Sequence, residues 1–217
     1  MKSLIFDLDG TLINSLLDIA LSMNKVLEKH GYKTHEIDEY NYFVGDGALV
    51  LVKNAMPQNA SEEDIQTALK SFIEIYEQNT HNNTFAYDGI YEMLEKIEKL
   101  KIKKAVLSNK PHKFTLKYME NIFNNFNFQE IHGQKSDVPK KPDPTMAIEI
   151  ATKLNTKVED VIFIGDTATD MKTAKSAGMI AVGVEWGFRS VEELLENGAD
   201  FIVKTPQDII ELLNKLK

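Results

Sequence analysis

Short runs of apolar, β-prone residues recur along the chain, and stretches of helical periodicity separate them. This alternation predicts a parallel sheet with helices on both faces, because parallel neighbours need a crossover that is usually helical. The predicted strands cover residues 4–6, 104–107, 128–131, 161–164, 180–184 and 201–203. The pattern therefore places the chain in the α/β class.

The interval between the first two predicted strands is too long for an ordinary crossover. Residues from about 16 to 80 follow helical periodicity in succession, as in the apolar series Leu16, Ile19, Met23 and Leu27. We therefore predict a small all-helical domain over residues 15–85, inserted after the first strand. The remaining residues, 1–14 and 86–217, would form a Rossmann-like core.

Composition narrows the classes of partner. The chain has 217 residues, 43% of them hydrophobic, which is enough to bury a full core. A net charge of -8 argues against nucleic-acid binding, and the absence of cysteine excludes disulfides and thiolate metal sites. No stretch approaches the roughly 18 apolar residues of a membrane span, and the first residues do not resemble a signal peptide. We expect a cytoplasmic monomer or homodimer that acts on a small molecule.

Two carboxylates follow the first predicted strand, at Asp7 and Asp9. In an open α/β sheet, ligands bind outside the carboxyl ends of the strands, so this is the expected position for a site. If the chain stays extended, both side chains lie on one face. Gly10 then allows the backbone to turn away.

Other strand ends and the segment after the third strand carry polar groups that complement this pair. Ser108 and Asn109 follow the second strand, Asp166 and Asp170 follow the fourth, and Lys141 precedes a helix. Four clustered carboxylates repel one another, and a divalent cation would relieve the repulsion. Oxygen ligands without histidine or cysteine favour a hard ion such as Mg²⁺.

These residues form four motifs in chain order that resemble those of the haloacid dehalogenase superfamily of phosphatases. The helical segment resembles the type-1 cap of that superfamily, and the loop at residues 44–48 resembles the cap loop of its phosphoglycolate phosphatases. The motifs are Asp7-Leu8-Asp9-Gly10-Thr11, Ser108-Asn109, Lys141-Pro142 and Gly165-Asp166-Thr167-Ala168-Thr169-Asp170.

The resemblance implies a role for each motif. Asp7 would attack phosphorus and form an aspartyl-phosphate, and Asp9 would act as general acid and then as general base. Mg²⁺ would be held by Asp7, Asp166 and the backbone carbonyl of Asp9, with Asp170 helping directly or through water.

The remaining site residues would contact the substrate. Ser108 and Lys141 would hold the phosphoryl oxygens. Further predicted substrate-binding residues are Thr11, Asn109, Gly45 and Gly47. Asp46 lies in the same loop, and because an acid would repel an anionic substrate, we expect it to point away and cap the following helix.

The resulting hypothesis is a Mg²⁺-dependent phosphatase for small phosphomonoesters, with 2-phosphoglycolate as the favoured substrate. A sugar-phosphate mutase resembling β-phosphoglucomutase stays open, as does a phosphatase for another sugar phosphate, a nucleotide or pyrophosphate. A non-catalytic phosphate-binding protein or a receiver-like signalling domain is a remote alternative. The cap would select the substrate, whereas the acids would define the reaction.

Overall fold

A computed structural model of the chain describes residues 2–79 and 82–216. Eight strands lie within them: β1 (Ser3–Phe6), β2 (Ile13–Asn14), β3 (Phe85–Ala86), β4 (Lys104–Pro111), β5 (Glu130–Gln134), β6 (Val161–Gly165), β7 (Ile180–Val184) and β8 (Phe201–Val203). Six of these form a parallel sheet in the order β5-β4-β1-β6-β7-β8. The first strand thus lies inside the sheet, between β4 and β6.

Helices cover both faces of this sheet. The described α-helices are α1 (Leu16–Lys29), α2 (Ala48–Ala55), α3 (Glu62–Asn79), α4 (Ile90–Lys99), α5 (His112–Phe123), α6 (Thr145–Lys153), α7 (Ala168–Ser176), α8 (Val191–Glu196) and α9 (Pro206–Lys215). Leu4 and Phe6 face the core beneath α4, α5 and α9, whereas Ile5 faces α6, α7 and α8. Alternate residues of a strand point to opposite faces, so β1 is buried on both. The predicted α/β class and parallel sheet are confirmed.

Two strands differ from their predicted bounds by more than one residue. Strand β4 continues through Ser108 and Asn109 to Pro111, so these residues belong to the strand and do not follow it. Strand β5 spans Glu130–Gln134, whereas the pattern predicted 128–131. Pairing with β4 sets this register, with Ala105 opposite Glu130. Apolar character in the sequence marked Phe128, which instead packs at the edge of the core.

The segment between the first two sheet strands is helical, as predicted. Helices α1, α2 and α3 lie in the insertion (residues 15–85), together with a 3₁₀ helix at Ile37–Tyr42. Strands β2 and β3 pair antiparallel where the insertion leaves and rejoins the sheet. The division into two domains at these boundaries stays a prediction. Among the helices of residues 2–79 and 82–216, none is long and apolar enough to cross a membrane.

A buried carboxylate fixes the return of the insertion. Asp18 in α1 is almost fully buried and accepts hydrogen bonds from the backbone and side-chain amides of Asn83, at 2.9–3.1 Å. The Thr84 hydroxyl also donates to it, at 2.6 Å. A buried carboxylate is tolerated only when such donors surround it. The contacts hold α1 against the segment that leads back to the sheet.

Candidate active site

The predicted site residues meet at the carboxyl edge of the sheet. Asp7 directly follows β1, Ser108 lies in β4, and Asp166 directly follows β6. Because β4 and β6 flank β1, their polar ends converge there. The adjoining cleft is lined by Asp7, Asp9 and Ser108, together with residues of the insertion.

Three buried carboxylates form one cluster in this site. One oxygen each from Asp7, Asp166 and Asp170 lies within 4.8 Å of the others. The pKa of Asp166 lies well above its usual range, mainly because the residue is buried and also because the charges of Asp170 and Asp7 are close. Burial also raises the pKa of Asp7 to about 7, despite the opposing effect of Lys141. An all-oxygen cluster with this excess of negative charge fits a hard divalent cation.

Lys141 is the buried cation of this cluster. Its Nζ atom lies 2.9 Å from Asp7 Oδ1 and 2.6 Å from Asp170 Oδ1. Burial alone would lower the pKa of Lys141, but the carboxylates of Asp170 and Asp7 outweigh it and raise the pKa above its ordinary value. Lys141 therefore stays charged and holds two of the three carboxylates in place.

Asp9 faces a different set of partners. The Lys110 Nζ atom lies 2.9 Å from Asp9 Oδ1 and 3.1 Å from Oδ2, and the Ser15 hydroxyl donates to Oδ1. The side chain of Asp9 thus lies outside the three-carboxylate cluster. A role in metal binding, which stays a prediction, falls to its backbone carbonyl.

The four predicted substrate-binding residues fall into two groups. Gly45 and Gly47 line the cleft. The Thr11 hydroxyl instead donates to Asp166 Oδ1, at 3.1 Å. Asn109 bonds the backbone of Lys141 in both directions, at 2.9 and 3.1 Å, and donates to the Gly45 carbonyl. Thr11 and Asn109 therefore position other site residues.

Asp46 is not among the described residues that line the cleft, but the expectation that it caps the following helix is wrong. The residue before α2 is Gly47, and no side chain caps that helix. Asp46 Oδ1 instead accepts a hydrogen bond from the Thr169 hydroxyl in the first turn of α7, at 2.6 Å. Because Gly47 occupies the position before α2, Asp46 bonds the first turn of α7 instead, and this contact ties the insertion to the sheet edge.

Two further contacts hold the same loop. The Lys140 ammonium donates to the Asp46 carbonyl at 2.6 Å, and the Arg189 guanidinium donates to the Val44 carbonyl at 2.9 Å. Together with the bond from Asn109 to Gly45, they place the loop over the cleft.

Lys110 is a charged residue of the cleft that the sequence places beside Ser108 and Asn109 but to which we assigned no catalytic, substrate-binding or metal role. It is buried, lines the cleft and pairs with Asp9. Residues two apart on a strand share a face, so Ser108 and Lys110 point the same way from β4. That alternation was the signal that could have identified Lys110, had the strand been extended through Pro111.

A glycine next to the cluster gives a test of how tightly Asp166 is packed. Gly10 has φ +83°, and a Cβ atom there would lie 2.1 Å from Asp166 Oδ2. We expect Gly10→Ala to lower the free energy of unfolding by about 3 kcal/mol or more, since the collision adds to the backbone cost. Denaturant titration measures this loss.

Gly31→Ala is the matched control for Gly10→Ala. Its φ is +75°, and nothing lies within 4 Å of an added Cβ. It should lose only about 1–2 kcal/mol, the cost of the left-handed backbone. Equal losses in the two variants would mean that the packing against Asp166 contributes nothing.

Divalent cations are expected to stabilise the fold. Binding between Asp7, Asp166 and Asp170 would relieve their repulsion, and a ligand at roughly 100 times its Kd adds about 2.7 kcal/mol. The midpoint temperature of thermal unfolding should therefore rise with Mg²⁺ but not with Na⁺ at equal ionic strength. Asp166→Asn should remove most of this increase. If Mg²⁺ leaves the midpoint temperature of wild-type unfolding unchanged, the three carboxylates do not form a divalent-cation site.

Comparison with known proteins shows which family the chain matches. Residues 4–184 match the family model described as haloacid dehalogenase-like hydrolase. The chain is 30% identical over 220 residues to the phosphoglycolate phosphatase of Pseudomonas fluorescens, a match that covers 99% of this chain and 78% of the relative. It is 27% identical over 219 residues to the phosphoglycolate phosphatase of Vibrio parahaemolyticus, covering 98% and 96%.

A solved structure gives the same picture. The crystal structure of a predicted phosphoglycolate phosphatase from Haemophilus somnus matches with a TM-score of 0.90 and 28% identity, over 98% of each chain. The likeness therefore extends over both the sheet and the insertion.

Proposed function

Because the chain belongs to the haloacid dehalogenase-like hydrolases, we propose that it is a Mg²⁺-dependent phosphatase that works through an aspartyl-phosphate on Asp7. We further propose 2-phosphoglycolate as its preferred substrate. The observation that carries the proposal is the placement of Asp7 and Asp9 in one cleft with different partners. Asp7 belongs to the acidic cluster, whereas Asp9 faces Lys110.

The first step forms the covalent intermediate. A carboxylate oxygen of Asp7 bonds to phosphorus while the bond from phosphorus to the ester oxygen breaks. Asp9, in its protonated form, gives its proton to the departing oxygen, so that an alcohol leaves. Lys141 and Ser15 hold the two carboxyl groups in position for these tasks.

The second step regenerates the enzyme. Water attacks phosphorus, Asp9 takes one of its protons, and the bond to Asp7 breaks to release inorganic phosphate. Lys141 and the Ser108 hydroxyl, both in the site, would hold phosphoryl oxygens during both displacements. Mg²⁺, held by Asp7, Asp166 and Asp170 with the Asp9 carbonyl, would neutralise phosphoryl charge.

The lining of the cleft favours a small leaving group. Apart from the polar residues already described and two glycines, its described residues are apolar or aromatic. They are Ile19, Val44, Ala48, Leu51, Phe72 and Tyr76 from the insertion, with Pro111 and Phe114. A sugar would bring several hydroxyls into a wall with few partners for them, and each unpaired polar group carries a free-energy penalty.

A turnover panel tests the proposal. Purified protein is assayed on 2-phosphoglycolate, hexose phosphates, nucleoside monophosphates and pyrophosphate, with Mg²⁺ and with chelator. We expect phosphate release that depends on Mg²⁺ and is fastest with 2-phosphoglycolate. A phosphorylated isomer with little free phosphate would instead identify a mutase, and absence of turnover on every ester would refute the proposed function.

A further inference from the structure

Lys110 is a buried charge in the cleft that the proposed steps leave unused. Only 6% of the residue is exposed. Its ammonium contacts Asp9 and lies 4.8 Å from the centre of the Tyr76 ring and 4.9 Å from that of Tyr118. A buried ion pair often stabilises a fold no more than apolar side chains of similar volume would. Stability alone therefore does not explain why Lys110 is paired here.

The surroundings of Lys110 hold its ammonium in a defined place. Tyr76 comes from α3 of the insertion, and Tyr118 comes from α5 beside the sheet. Their hydroxyls are 2.8 Å apart. The faces of both rings attract the ammonium, one ring belonging to the insertion and the other to α5 beside the sheet. Lys110 is therefore fixed jointly by the insertion and the sheet.

The ammonium retains binding capacity beyond its ion pair. It carries three N–H donors, and the two oxygens of Asp9 accept two hydrogen bonds. Among the described residues that line the cleft, the charged ones are Asp7, Asp9 and Lys110. With Asp9 protonated for its proposed role as general acid, an anionic group on the leaving part of a substrate would be repelled by Asp7 and attracted by Lys110.

We propose that Lys110 is the specificity-determining residue that binds a carboxylate on the leaving group. This inference rests on the proposed function, in which Asp9 protonates the ester oxygen. A group that contacts Asp9 is then close to that oxygen. In 2-phosphoglycolate one carbon separates the ester oxygen from the carboxylate, so Lys110 beside Asp9 lies within reach of it. A longer leaving group would carry its anion toward the apolar wall.

The test compares two esters of similar size, 2-phosphoglycolate and 2-hydroxyethyl phosphate, which replaces the carboxylate with a neutral alcohol. The quantity measured is the ratio of their kcat/KM values, with Mg²⁺ present. The wild type should prefer the carboxylate ester, and Lys110→Met should lower this ratio by roughly 10- to 100-fold, as for loss of a charge-assisted hydrogen bond. Lys113→Met, which removes an exposed lysine paired with Glu77, should leave the ratio unchanged.

The outcomes separate the inference from the proposed function. If Lys110→Met slows both esters equally, Lys110 merely positions Asp9 and the inference is wrong. If the wild type hydrolyses both esters without preference, the inference is also wrong. This outcome is measured on the wild type alone, so it does not depend on whether the variants fold. Lys110→Gln, which keeps a neutral donor, should lower the ratio as well. Failure of the wild type to hydrolyse either ester would instead refute 2-phosphoglycolate as the substrate, and absence of turnover on every ester of the panel would refute the proposed phosphatase function.

Discussion

Asp7→Asn protein is expected to lose turnover of every phosphomonoester by a factor on the order of 10⁴ or more. The amide that replaces the carboxylate is a poor nucleophile, so the aspartyl-phosphate cannot form. Asp9, Lys141 and the remaining carboxylates stay in place, and saturating Mg²⁺ limits the part of the loss that comes from weaker metal binding. Phosphate release from 2-phosphoglycolate, followed with saturating Mg²⁺, measures the loss.

The fold should survive this substitution. Burial raises the pKa of Asp7 to about 7, so an ionised carboxylate is costly there and a neutral amide of the same size relieves the cost. We expect the metal-free free energy of unfolding to stay within about 1 kcal/mol of wild type. Asp137→Asn, at an exposed position, is the matched control for activity. Wild-type turnover by Asp7→Asn would rule out the nucleophilic role.

Most of the sheet was predictable because its strands are buried on both faces. Such strands read as short continuous apolar runs, and those at Val161–Gly165 and Ile180–Val184 were found almost to the residue. Strand β4 was cut short because its last residues are polar. Ser108 and Lys110 are buried by the site that they form, a tertiary effect that no local hydrophobic pattern reports.

The site was predictable to the extent that chain position sets it. Asp7 and Asp166 follow neighbouring strands, so topology alone brings them together. The partners of each side chain were not predictable in the same way. Asp46 accepts a hydrogen bond from Thr169, which is more than a hundred residues away along the chain. The Lys110 ammonium packs against the ring of Tyr76, which belongs to the insertion. These contacts depend on how the insertion sits on the sheet, which sequence spacing does not fix.

Lys141→Met is expected to cost about 3–5 kcal/mol of unfolding free energy in metal-free protein. The substitution removes the charge that lies between Asp7 and Asp170, and the cluster with Asp166 is then left without its cation. Methionine fills a similar volume, so the loss reports charge more than packing. Denaturant unfolding in chelator measures it, and phosphate release should fall by about 10²- to 10³-fold, as for loss of an oxyanion contact.

Lys104→Met separates this effect from the removal of any buried lysine. Lys104 is equally buried but pairs with Glu98, whose side chain is 36% exposed and can be hydrated by water after the change. Its loss should therefore be clearly smaller. Mg²⁺ should recover part of the stability of Lys141→Met, because a divalent cation replaces the missing positive charge, and should add nothing specific to Lys104→Met. Equal losses in the two variants, with no difference in their response to Mg²⁺, would show that the acidic cluster does not depend on Lys141 for its charge balance.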